Sequence, residues 1–214
     1  MFTGIIEAIG EVTHIESKAK DSRLSITATD FNLNEVKIGD SIAINGVCLT
    51  VINKSTNSFK ADVSAETLNK TSLASLKIGS KINLEKAMKA NGRFDGHIVS
   101  GHVDDIGLIV SKTTLGESIQ FGIRVPANLS KYIAVKGSIC IDGTSLTVNE
   151  INDCDFYVNI IPHTIKSTII DNYQVGSKVN LEIDIIARYL ERLMLDNKPE
   201  QKITEQLLRD NGYL

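Results

Sequence analysis

Two matching segments carry the small polar side chains best suited to chemistry. GVCLTV, beginning at Gly46, holds Cys48 and Thr50; GTSLTV, beginning at Gly143, holds Ser145 and Thr147. Successive side chains of an extended strand point to opposite faces. Cys48 and Thr50 therefore share a face opposite Leu49 and Val51, and Ser145 and Thr147 share one opposite Leu146 and Val148. Each segment shows a thiol or hydroxyl pair outward while its aliphatic residues face a core. The pattern is that of an ordinary solvated surface first, and of a polar ligand-binding face as the alternative.

Titratable residues near these segments are few. His102, in SGHVDDIG, is of the residue type best suited to proton transfer; a structural role is the alternative. His97 stands five residues earlier. With Asp104 or Asp105 the two histidines would make a metal group, but the spacing matches no standard zinc motif. His163, in IPHT, stands opposite Glu66 of AET, both as ligand contacts or as turn residues. Lys136 precedes Gly137, and Asp184 ends a strand in LEID. No Ser-His-Asp constellation, phosphate-binding loop or dinucleotide fingerprint is legible.

The elements that must hold these residues are duplicated. GVCLTV matches GTSLTV, IGSKINLE from Ile78 matches VGSKVNLE from Val175, and GIIEAIG from Gly4 matches GHVDDIG from Gly101, all at an offset of 97 residues. Phe59, Thr67 and Thr71 recur as Phe156, Thr164 and Thr168, with compensating length changes between residues 20–40 and 117–137. Two copies are too few for a solenoid, and each is long enough to close a core of its own. The repeat also shows where the halves diverge: Cys48 against Ser145, Ile5 against His102, Glu66 against His163, Ala87 against Asp184.

Each half reads as short strands. Asn45-Gly46 lies between alternating runs, a strong hairpin signal because both turn residues need positive φ; Asp142-Gly143 repeats it. FKADVSA, KINLEKA, IQFGIRVP, FYVNIIP and KVNLEID are further strands, rich in β-branched and aromatic residues. Their spacing predicts closed barrels or sandwiches. Brief helical turns are expected at AETLNKTSLASL and PHTIKSTIID. After about Ile186 the period becomes helical, with Tyr189, Leu190, Leu193 and Met194 on one stripe. Pro199 interrupts it, and ITEQLLRDNGYL makes a second short helix. The stripe must be covered, by its own barrel or by copies of itself.

Composition is that of a globular protein: 42% hydrophobic, 23% charged, net charge −3. No basic face suggests nucleic acid. Three scattered cysteines, Cys48, Cys140 and Cys154, form neither a disulfide framework nor a zinc pattern, which points to a reducing compartment. The first residues lack the basic region of a signal peptide, and no apolar run reaches a membrane span. A cytoplasmic location is expected.

Taken in order, MFTGII, INGVCLTV, SGHVD, KGSICIDGTSLTV, IPHT and VNLEID closely resemble the riboflavin synthase family over residues 1–186. The resemblance implies an all-β fold of two tandem six-stranded Greek-key β-barrels followed by a C-terminal α-helix that builds a homotrimer. It divides the chain into an N-terminal lumazine-binding barrel over 1–97, a C-terminal lumazine-binding barrel over 98–186 and a helical oligomerisation tail over 187–214. It implies a reaction between two molecules of 6,7-dimethyl-8-ribityllumazine held in one site. A four-carbon unit passes between them, giving riboflavin and 5-amino-6-(D-ribitylamino)uracil, with no metal or other cofactor. In the family each site lies between the N-terminal barrel of one subunit and the C-terminal barrel of its neighbour. The partners implied are the substrate and further copies of the chain, with room for association with lumazine synthase, and neither nucleic acid nor membrane.

Carried over, the family's N-barrel pocket falls on Gly4, Ile5 and Ile6, on Ser41, Cys48, Leu49 and Thr50, and on Asp62, Val63, Ser64, Ala65, Glu66 and Thr67. The C-barrel pocket falls on Gly101, His102 and Val103, on Lys136, Ser145, Leu146 and Thr147, and on Ile160, Ile161, Pro162, His163, Thr164 and Ile165. The catalytic participants implied are Cys48, His102, Ser145 and Asp184, with Ser41 and Lys136 supporting. The alternative is a non-catalytic, antenna-type protein that binds lumazine or flavin. Such proteins look like duplicated barrels without the second pocket and the helix, whereas both pockets here keep their polar residues.

Overall fold

A computed structural model describes residues 1–196 and 205–213. Among them, twelve strands close into two six-stranded antiparallel barrels. The first contains β1 (Ala8–Lys18), β2 (Asp21–Thr27), β3 (Ser41–Ile44), β4 (Val47–Lys54), β5 (Ser58–Val63) and β6 (Lys81–Lys86). The second contains β7 (Asp105–Leu115), β8 (Ser118–Arg124), β9 (Ser138–Ile141), β10 (Thr144–Asn152), β11 (Asp155–Ile160) and β12 (Lys178–Ile183). Around the first barrel the order is β1–β2–β5–β4–β3–β6, and the second repeats it. The meander β3–β4–β5 beside β2, reached by a long connection, is a Greek key. Closure gives every strand two neighbours.

Matched positions fill both interiors. Leu24, Ile26, Ile42, Phe59 and Ile82 are buried in the first barrel, and Phe121, Ile123, Ile139, Phe156 and Val179 stand at the same offset in the second. Each such side chain contributes about 1.5–3 kcal/mol through burial. The two hairpins turn as their sequences require, with φ of 45° and 76° at Asn45 and Gly46 and of 43° and 83° at Asp142 and Gly143.

Those turns meet back to back between the barrels. A Cβ on Gly46 would come within 2.6 Å of the Gly143 nitrogen, so glycine is required by contact as well as by φ. Two asparagines lock the junction. Asn83 Nδ2 donates to the Asp142 carbonyl at 2.8 Å and its Oδ1 accepts from the Ile169 amide at 2.8 Å. Its counterpart Asn180 donates to the Asn45 carbonyl at 2.8 Å and accepts from the Ser72 amide at 2.6 Å. Phe2 and Val99, also equivalent, bridge each other on the same approximate two-fold axis.

Short helices follow β5, α1 (Ala65–Lys70), and follow β8 and β11, α2 (Ala127–Ser130) and α3 (Pro162–Ser167). The C-terminal part holds α4 (Ile185–Asp196) and α5 (Glu205–Asp210). The break expected at Pro199 lies outside the described residues. Glu191 binds Lys131 and Tyr132, and Arg188 binds Asp104, so one face of α4 rests on the second barrel. The other face does not: Tyr189, Leu190, Leu193 and Met194 are exposed. Among the described residues, the second barrel does not cover this stripe. No helix among the described residues is long and apolar enough to cross a membrane.

Candidate active site

Both outward polar pairs sit where the barrel wall parts. Strand β4 pairs with β5 only from Val51 onward, and β10 pairs with β11 only from Val148. The first residues of β4 and β10 thus have one ladder partner, the hairpin strand, and a free edge. A segment from the other half takes each free edge. The Cys48 amide donates to the Gly101 carbonyl at 2.9 Å, and the Ser145 amide donates to the Gly4 carbonyl at 2.8 Å. The residues leading into each barrel are therefore crossed, each lying on the hairpin of the other.

This crossing places the leading segments differently from the grouping that the resemblance implies. Gly101, His102 and Val103 stand with Cys48, not with Ser145, and Gly4 stands with Ser145, not with Cys48. The resemblance, carried over in chain order, implies that each half completes its own pocket, and the repeat copies segments without saying where they dock.

The first cluster is a cleft of about 260 Å³ lined by Val47, Cys48, Glu66, Thr67, Gly101 and His102, among others. Cys48 is half-buried and Thr50 exposed, while Leu49 and Val51 are buried as the alternation requires. Ser64 caps α1 by accepting from the Thr67 amide at 3.2 Å, which turns Glu66 and Thr67 toward the cleft. His102 is exposed there, its amide donating to Ser100 Oγ at 3.2 Å. Asp62 is held by Arg23 through two bonds of 2.6 and 2.9 Å, and that guanidinium keeps its carboxyl below the usual range. The Val63 side chain is in the core, as is that of Leu49, so these two can offer a ligand only backbone groups.

The second cluster centres on Ser145. Its hydroxyl lies 2.7 Å from Nδ1 of His97. His97 is buried, its Nε2 has no hydrogen-bond partner among the described residues, and its amide donates to the Thr3 carbonyl at 3.1 Å. Burial pushes the imidazole pKa down, while the charge of Asp184 pulls it up. A neutral imidazole beside a serine hydroxyl is a proton acceptor in position. Repeat comparison had no means of finding His97, because its equivalent in the first half would precede Met1. Leu146 and Ile165 pack against the core and Ile160 is buried within it. Ile161, Pro162 and His163 are exposed at the start of α3, with Thr164 half-buried behind them.

The remaining candidates are dispersed. Asp184 accepts from the Ile186 amide at 3.0 Å and so starts α4. Ser41 pairs with Thr50 across the hairpin and opens with Ile5, Lys86 and Ala87 into a cavity of about 480 Å³. Lys136 is exposed at φ 67°, where the first half has Gly39 at φ 97°. A left-handed lysine costs about 1–2 kcal/mol relative to glycine, and here its amide donates to the Val148 carbonyl at 2.8 Å.

Comparison with known proteins agrees with this geometry. A lumazine binding domain model matches twice, over residues 3–87 and 100–184. Riboflavin synthase of Photobacterium phosphoreum is 49% identical, and that of Actinobacillus pleuropneumoniae 47%, each over 100% of both chains. That of Bacillus subtilis is 42% identical over the same full extent. Among solved structures, LumP complexed with riboflavin superposes with a TM-score of 0.80 at 26% identity, covering 86% of this chain and 99% of that one. LumP complexed with 6,7-dimethyl-8-(1'-D-ribityl) lumazine gives 0.78 with the same coverage.

Proposed function

Since the chain belongs to the riboflavin synthase family, we propose that its Cys48 and Ser145 clusters each hold one molecule of 6,7-dimethyl-8-ribityllumazine. The chain is an enzyme of riboflavin formation. One lumazine gives up a four-carbon unit and leaves as 5-amino-6-(D-ribitylamino)uracil; the other receives that unit and becomes riboflavin.

The chemistry asks little of the protein beyond placement and proton transfer. The 7-methyl group of the lumazine is acidic because the heterocycle delocalises the carbanion. Holding two such rings in a reactive orientation supplies up to about 7–11 kcal/mol of the barrier. Duplicated barrels suit a reaction between identical substrates, since each supplies a related pocket. The pockets are not equivalent, and that inequality sorts donor from acceptor. The Ser145 cluster has a buried imidazole, His97, within reach of a hydroxyl. The Cys48 cluster has an exposed imidazole, His102, beside a thiol. His97 and His102 are the groups able to move the methyl proton, and Cys48, Ser145 and Thr67 orient the rings.

Ser41, Lys136 and Asp184 fit a site completed by a neighbouring copy. The exposed stripe of α4 supplies the means of assembly, and a homotrimer is the arrangement we infer, with the chain divided at 1–97, 98–186 and 187–214. The observation that carries the enzymatic reading is full-length similarity to riboflavin synthases with both polar clusters in place. The fold shared with LumP supports the second reading, a carrier that binds without turnover.

One assay separates them. The protein incubated with the lumazine alone should develop the absorbance of riboflavin, with one equivalent formed for every two lumazines consumed. Lumazine binding without riboflavin would establish the carrier instead.

A further inference from the structure

Each crossed leading segment is fastened by a buried carboxylate of the barrel it leads into. Glu85, in β6, accepts from the Thr3 amide at 2.7 Å, the Thr3 hydroxyl at 2.8 Å and the Gly4 amide at 3.0 Å. Glu182, at the equivalent place in β12, accepts from the Ser100 amide at 2.6 Å, the Ser100 hydroxyl at 2.7 Å and the Gly101 amide at 2.9 Å. The glycines so held are the two whose carbonyls dock on Ser145 and Cys48. One glycine residue thus links carboxylate to site on each side of the molecule, through its N–H on one side and its carbonyl on the other.

We propose that Glu85 and Glu182 are positioning residues for the site of the opposite hairpin: Glu85 sets Gly4 against Ser145, and Glu182 sets Gly101, and with it His102, against Cys48. The inference rests on the assignment of lumazine to these two clusters. Three observations carry it. Neither carboxylate forms an ion pair among the described residues, and a buried carboxylate without a cation is costly unless donors surround it. Only an ionised carboxylate offers acceptors to all three donors; a glutamine would turn its NH₂ toward one of them. Finally, the arrangement occurs twice, with the same donors, at positions where most pocket residues have diverged.

The arrangement is cross-wired, which makes it separable from a general effect on stability. A substitution in the second barrel should damage the site at Cys48, and one in the first barrel the site at Ser145. The full-length protein is treated with iodoacetamide at increasing riboflavin, and alkylation of Cys48 is read by peptide mass. Turnover of the lumazine is measured in parallel. Glu182→Gln should raise the riboflavin needed for half-protection of Cys48 at least tenfold. Glu85→Gln should leave it within about twofold. Both should lose at least tenfold in turnover.

Equal shifts in the two variants, or a Glu182→Gln protein with unchanged protection and turnover, would overturn the proposal. Should Glu182→Gln not fold, Ser100→Ala removes one donor and leaves the carboxylate. It should shift protection in the same direction by a smaller factor, and no shift there would also overturn it. If riboflavin fails to protect Cys48 in the unaltered protein, the ligand assignment itself falls, and the clamp loses its purpose with it.

Discussion

Gly4 and Ser145 touch through backbone: the Gly4 carbonyl accepts the Ser145 amide at 2.8 Å, and a Cβ on Gly4 would lie 2.6 Å from Ser145 Cβ. Gly4 has φ 78°, and its counterpart Gly101, at φ 81°, would bring a Cβ within 2.6 Å of Cys48 Cβ. The leading segments reach the hairpins because these positions carry no side chain.

Alanine at either glycine should therefore both destabilise the protein and open its site. The left-handed conformation costs an alanine about 1–2 kcal/mol, and the steric overlap adds about 1–3 kcal/mol. Urea unfolding should show a lowered midpoint with unchanged slope. Gly101→Ala should weaken riboflavin protection of Cys48, whereas Gly4→Ala should not. Equal protection in the two variants would contradict the crossing.

The His97–Ser145 pair predicts a kinetic signature. If His97 takes a proton during the reaction, activity needs the neutral imidazole and falls as pH drops through its pKa. Burial lowers that pKa from the ordinary 6.5, so the acid limb of the rate profile should lie below pH 6.5. His97→Asn keeps a hydrogen-bonding atom near Ser145 but cannot titrate. It should lose about 10²–10⁴ in kcat together with the acid limb. Asp184→Asn removes the charge that opposes the shift and should move the limb lower still. An acid limb unchanged in His97→Asn would place the base elsewhere.

Asp142 gives a stability effect of definite sign. Its carboxyl accepts from Tyr173 Oη at 2.5 Å and the Asn180 amide at 2.7 Å, and burial raises its pKa to about 7. The ordinary value is 3.8, so between these pH values the folded protein binds a proton that the unfolded chain releases. Its contribution is full below pH 3.8 and is lost as pH rises toward 7, by a few kcal/mol at most. Glu85 and Glu182, also raised by burial, act in the same direction. Asp142→Asn should flatten the dependence of the urea midpoint on pH over this window. Asn45 fills the equivalent place in the first half, where its Oδ1 accepts from the Asn83 amide at 2.8 Å. An unchanged slope would exclude Asp142 as its source.

Much of the fold was legible because the repeat supplied two readings of each element. Asn45-Gly46 and Asp142-Gly143 marked the hairpins, and alternation set Cys48 and Thr50 against Leu49 and Val51. Strands β1 and β7 were harder to see. Each carries a register shift, between Val12 and His14 and between Ile109 and Ser111, which breaks the two-residue period, and no residue of the last third of either strand is buried. The crossing was not legible for a different reason. Gly4 and Gly101 lie outside the strands, and periodicity within one barrel carries no information about which barrel a connecting segment meets. The Asp142 to Tyr173 bond was hidden likewise, since Tyr173 replaces Leu76 and only proximity gives its hydroxyl a purpose.

The α4 stripe makes the last prediction. Leu190 and Leu193 are 54% and 64% exposed, so charges placed there should change the stability of a single chain by no more than about 0.5 kcal/mol. In an assembly that buries the stripe, the same charges would be desolvated without partners, at several kcal/mol each. Leu190→Glu with Leu193→Glu should therefore yield folded monomers by sedimentation, with an unfolding midpoint close to that of the isolated unaltered chain. The start of α4 borders the cleft that contains His102 and Arg188, so separation of the copies also removes whatever a neighbour supplies beside that segment. Turnover should fall more than tenfold, while riboflavin still protects Cys48, because the cleft around Cys48 is built within one chain. Monomers with full turnover would show that one chain holds both lumazines by itself.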